Sequence, residues 1–151
     1  MGKLIKIICL VAGLSLLCCF SQPAMAENRV LTNVKVIHAS TTSETVDASL
    51  KDIIPELRSV FKYTSYRLLN DQQMNLGFKQ KGRVTLPGKR TMIVMPADME
   101  GRRIRYQINI LKNNRSVFQT RVLLRNNSSI TIGGPQFKNG VLLLNISGSI
   151  Q

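Results

Sequence analysis

The sequence predicts an α+β protein: a mainly antiparallel, sandwich-like β structure with one amphipathic helix. Three observations carry that expectation. Apolar residues recur at helical spacing over one stretch, Asp47 to Phe61. From Lys62 onward, short apolar runs alternate with polar residues and are punctuated by Asn, Pro and Gly pairs, the pattern of strands and turns. The roughly 125 residues after a leader suffice for one hydrophobic core, so a single domain is expected.

The leader comes first. Lys3 and Lys6 precede an apolar run of 14 residues from Ile7 to Phe20, and Pro23 and Ala24-Met25-Ala26 follow. This is the order of a charged region, a short apolar region and a small-x-small cleavage site. A membrane-spanning helix needs about 20 apolar residues. Leu17 before Cys18 is too large for lipoprotein processing, and Cys18 precedes Cys19. The expectation is therefore a signal peptide over residues 1–26, a domain over 27–151, and a periplasmic or extracellular location with no transmembrane segment after cleavage. Cys9, Cys18 and Cys19 all fall in the leader. The mature chain has no disulfide, thiol nucleophile or thiolate metal ligand.

Val30 to Ala39 reads as a strand, with Val30, Val34 and Val36 on its more apolar face. Ser40 to Glu44 is a polar loop. In the helix, Leu50, Ile53, Ile54, Leu57 and Phe61 form one stripe suited to a core. Asp47 is a suitable N-cap, and Pro55 predicts a kink or a second segment capped by Asp52. Tyr63 to Leu69 and Met74 to Lys79 read as strands with a turn opened by Asn70-Asp71. Gly82 to Leu86 and Thr91 to Met95 are joined at Pro87-Gly88, which suits a type II turn. Asp98 to Gly101 reads as a turn. Arg103 to Leu111, Val117 to Leu124, Ser129 to Ile132 and Val141 to Ile146 complete the strands, with Gly133-Gly134-Pro135 as a sharp bend.

Parity constrains the hairpins. Ile104, Tyr106, Ile108, Ile110, Phe118, Val122, Leu124, Ile130 and Ile132 are all even. Two-residue loops at Asn113-Asn114 and Asn126-Asn127 would pair even with odd positions, so odd loops are expected to keep the apolar sets on one face. Arg103, Arg105, Arg121 and Arg125 then share the opposite face and are the candidate polyanion-binding residues.

Charge points the same way. The 19 Lys and Arg of the mature chain outnumber its 8 acids, and residues 27–71 hold six of each sign. Residues 72–151 hold thirteen basic residues against Asp98 and Glu100 alone. Such a field attracts polyanions: anionic lipid, lipopolysaccharide or acidic glycan. Four Phe, three Tyr and no Trp in the mature chain give few stacking platforms, so specific nucleic-acid binding is not expected.

Catalytic chemistry is poorly provided. His38, the single histidine, lies in a strand pattern and reads as structural. Asp98 and Glu100 are close neighbours on a turn rather than carboxylates held across a cleft. Gly133-Gly134-Pro135 lacks the Lys-Ser/Thr and helix of a phosphate loop. No enzyme activity, cofactor or metal is expected.

Two stretches support a likeness. Phe61-Lys62-Tyr63-Thr64-Ser65-Tyr66-Arg67-Leu68-Leu69, and Ile132-Gly133-Gly134-Pro135 followed after four residues by Gly140-Val141-Leu142-Leu143-Leu144, resemble an uncharacterised family of small exported bacterial proteins. Thr131-Ile132-Gly133-Gly134 is also similar to a strand-and-turn segment of outer-membrane secretins, whose pattern continues with Leu where this chain has Pro135. These likenesses imply an envelope setting and transfer no site residues. The resulting expectation is a non-enzymatic envelope protein that binds or helps assemble other components, with a polyanion-binding protein as the alternative. Val141-Leu142-Leu143-Leu144 is apolar on both parities, so something must cover both faces of that strand. Either the helix does so, or Val141 and Leu143 form an interface.

Overall fold

The computed structural model describes residues 28–151, and the leader read over residues 1–26 lies outside them. The strands are β1 (Arg29–Ser40), β2 (Ser65–Gly77), β3 (Gly82–Leu86), β4 (Arg90–Glu100), β5 (Arg103–Lys112), β6 (Arg115–Arg125), β7 (Ser128–Phe137) and β8 (Gly140–Ile150), with the helix α1 (Ile54–Val60) between β1 and β2. Two four-stranded antiparallel sheets form, ordered β2-β1-β8-β7 and β3-β4-β5-β6. This is the mainly antiparallel, sandwich-like α+β fold that the patterning predicts.

The alternation of side chains builds the core. Val30, Val34 and Val36 of β1 and Leu142, Leu144 and Ile146 of β8 face Met92 and Val94 of β4 and Ile104, Tyr106, Ile108 and Ile110 of β5. All are fully buried. Burying such a side chain stabilises by about 1.5–3 kcal/mol, so this inter-sheet layer dominates the stability. Thr32 and Tyr106 meet across it, hydroxyl to hydroxyl at 2.9 Å.

A second cluster lies on the outer side of the first sheet. Leu50 and Leu57 pack on Ile37, Ala39, Tyr66 and Leu143. The amphipathic stripe is there, but in two pieces. Asp47 opens a 3-10 turn, Ala48–Leu50, accepting the Ser49 N–H at 3.0 Å. Pro55 then sits in the first turn of α1, where its missing N–H costs nothing. The residue before α1 is Ile53 and makes no side-chain cap, so the expected cap at Asp52 is not used.

Several expected breaks are β-bulges instead. β2 runs through Asn70-Asp71 without turning, because Val36 pairs Asn70 while Ile37 pairs Leu68, leaving Leu69 as the extra residue. The bulge lets Tyr66 and Leu68 face the helix while Met74 and Leu76 face the sandwich core. β4 continues to Glu100, with Ala97 extra between Pro96–Tyr106 and Asp98–Arg105. β7 likewise passes through Gly133-Gly134-Pro135 to Phe137. At Asn113-Asn114 the loop has two residues, not an odd number, and φ values of 50° and 59° give a type I′ turn. Parity is restored one step later: Leu111 pairs Ser116 but Ile110 pairs Phe118, so Val117 is the bulged residue. Asn126-Asn127 forms no hairpin within a sheet. It carries the chain from the second sheet to the first, so Ile130 and Ile132 face the same core from the opposite side. Pro87-Gly88 turns as expected, with Gly88 at φ 77°.

Candidate functional site

Arg103, Arg105, Arg121 and Arg125 share the outer face of the second sheet, because their even neighbours Ile104, Tyr106 and Leu124 are buried in the core. Their circumstances differ. Arg105 is gripped by two carboxylates, Asp98 at 3.0 Å and Glu100 at 2.6 Å. The hydrogen bond that Arg105 donates to Glu100, reinforced by the charge of Asp98, pushes its pKa above the usual guanidinium value. The Ala97 bulge makes this possible: it turns Asp98 and Glu100 onto the face that carries Arg103 and Arg105. Asp98 and Glu100 therefore stand on a strand, not on the turn expected for them. Arg121 lies further along β6, opposite Gln107, and the middle of the face holds Ile93, Met95 and Asn109.

Arg103 and Arg125 stand directly opposite one another on β5 and β6. Like charges at such positions are unfavourable. Among the described residues the ion pairs join Lys35 to Asp71 and Arg105 to Asp98 and Glu100, so neither member of the opposed pair is in one. Both line an open cleft of about 920 Å³ at that end of the sandwich, with Arg102, Asn126, Asn127, Ile150 and the carboxylate of Glu100. Hydrogen bonds stitch its wall to both sheets. Asn126 N donates to Arg102 O at 3.0 Å and Asn127 N to Gly148 O at 2.9 Å. The Asn126 side-chain oxygen accepts from Ile150 N at 2.9 Å, and that of Asn127 from the Ser149 hydroxyl at 2.7 Å. The sequence pattern marks Asn126-Asn127 as a turn and gives Arg102 no role. Their adjacency to Arg103 and Arg125 was the available signal, but the sheet crossing that joins them was not.

The other candidate residues are placed as follows. Leu143 is fully buried against Leu50 and Leu57, and Val141 packs partly buried on the same cluster. β8 is an interior strand whose Leu142 and Leu144 face the sandwich core, so the cover its two apolar faces require is intramolecular. His38 is half-buried, with Nε2 3.2 Å from Phe137 O and its ring edge-on to Phe137. A second cleft on the outer face of the first sheet is lined by uncharged Asn33, Gln73, Ser129 and Ser147. Among the described residues no three His, Asp or Glu side chains converge as a metal site, and no helix is long and apolar enough to cross a membrane, which says nothing of strand-built spans.

No protein-family model, curated protein or solved structure matches the chain.

Proposed function

We propose that this is an exported, non-enzymatic binding or assembly protein of the cell envelope, and that its ligand is a polyanion seated at the Arg103–Arg125 end of the second sheet. The observation that carries the reading is the directly opposed arginine pair at the mouth of an open cleft. Two unit charges about 5 Å apart repel by ~1 kcal/mol even in a water-like medium. A sulfate or phosphate between them replaces that repulsion with charge-assisted hydrogen bonds, for which the planar guanidinium fork is well shaped. Arg102 adds a third cation to the cleft, and the single carboxylate of its lining, Glu100, is held by Arg105. The acid-poor composition of residues 72–151 favours the approach of an anion from a distance.

Calorimetric titration of the mature protein with a sulfated oligosaccharide and with lipopolysaccharide tests this. Binding should weaken as salt rises. R103Q/R125Q should lose most of the affinity, while R105Q should lose little, because Arg105 is already neutralised. Equal binding by wild type and R103Q/R125Q would reject the site.

A further inference from the structure

A separate cleft of about 310 Å³ opens at the other end of the β5–β6 hairpin, where the edge strands β6 and β7 leave the sandwich open. Ile110, Val117, Phe118 and Pro135 form apolar walls, and Arg90 and Lys112 stand at its rim. Val117 is 54% and Phe118 37% exposed, neighbours on an otherwise polar hairpin tip. The register places Arg90, Lys112 and Arg115 in one row across β4, β5 and β6. None of the three is in an ion pair among the described residues.

The geometry of the two edges narrows the occupant. β6 is bulged at Val117 and β7 at Gly134-Pro135. Pro135 also removes a backbone donor, so neither edge is a regular template for an added strand here. What the walls accept is a flexible apolar chain, and what the cation row accepts is a negative charge at that chain's end. We propose that this cleft takes the hydrocarbon chain of an anionic lipid, with its acidic headgroup on Arg90, Lys112 and Arg115. The site is independent of the Arg103–Arg125 end. Its volume falls at the small end of ligand pockets, enough for one chain.

The test uses the mature protein, with decyl phosphate below its micelle concentration as the probe and inorganic phosphate and decanol as controls. Decyl phosphate should bind saturably, one per chain, and more tightly than either control. V117D/F118D should lower that affinity at least about ten-fold, since an apolar wall becomes charged. Both side chains are exposed, so the thermal transition should persist, and F118S provides a milder variant if it does not. K112Q/R115Q should bind more weakly and with less dependence on salt. R103Q/R125Q should bind decyl phosphate like wild type, which separates this site from the polyanion site. Vesicles of anionic phospholipid distinguish the source. Vesicle binding weakened by the same substitutions marks a bilayer lipid, and monomer binding alone marks a free amphiphile. Inorganic phosphate matching decyl phosphate, unchanged binding by both V117D/F118D and F118S, or vesicle binding without monomer binding would overturn the proposal.

Discussion

Replacing Tyr106 with Phe should destabilise the domain by about 1–3 kcal/mol, the cost of leaving a buried hydroxyl without its partner. Tyr106 and Thr32 are fully buried, and their hydroxyls meet at 2.9 Å between the two sheets. The other contact of the Thr32 hydroxyl, Val30 O at 3.5 Å, is too long to compensate. Gly148 lies against the Tyr106 hydroxyl so closely that a Cβ there would collide with it. Thr32→Val orphans the other hydroxyl and should cost a similar amount. The double variant T32V/Y106F removes both polar groups and should be near wild type, giving a coupling of roughly 1–2 kcal/mol. Urea unfolding followed by circular dichroism measures all four proteins, and equal slopes license the comparison. A neutral Y106F, or a double variant as unstable as the sum of the singles, would refute the assignment of this bond as the polar tie between the sheets.

Three further outcomes follow from the same contacts. Burial holds the Tyr106 and Tyr66 hydroxyls above the ordinary phenol value of 10.0; a raised folded pKa gives stability that is full below pH ~10 and lost as pH rises through the folded values, so alkaline titration should unfold the protein and Y106F should flatten the dependence. Leu143→Asp should prevent folding and Leu143→Ala should cost about 2–5 kcal/mol, because Leu143 is buried beneath Leu50 and Leu57; a folded L143D monomer would contradict the placement of α1. Asp98→Asn with Glu100→Gln should tighten polyanion binding by freeing Arg105, while exposed pairs of this kind change stability little; unchanged affinity would show that Arg105 takes no part.

The fold class was legible because periodicity reports which residues are buried. The even apolar set from Ile104 to Leu124, exposed Phe118 apart, does face one core, and the Leu50–Leu57 stripe does cover a sheet. Bulges hid the rest. A bulge interrupts alternation just as a turn does, so Asn70-Asp71, Asp98-Met99-Glu100 and Gly133-Gly134-Pro135 resembled breaks although each lies within a strand. Asn113-Asn114 and Asn126-Asn127 carry the same local turn chemistry, yet one closes a hairpin and the other changes sheets. That choice is made by tertiary packing, not by the dipeptide. The candidate site suffered accordingly. The four arginines were placed on one face correctly, but the capture of Arg105 depends on the single extra residue Ala97. The opposition of Arg103 and Arg125 depends on the bulge at Val117.

The most direct test of a polyanion site is where the ligand touches. Arginine side-chain N–H resonances of the mature protein, followed by NMR while a sulfated oligosaccharide is added, report each guanidinium separately. Arg103 and Arg125 should shift together and saturably, with Arg102 close behind and Arg58 on α1 and Arg67 on β2 unmoved. Uniform small shifts across all arginines, or saturable shifts confined to residues outside the Arg103–Arg125 end, would contradict the account.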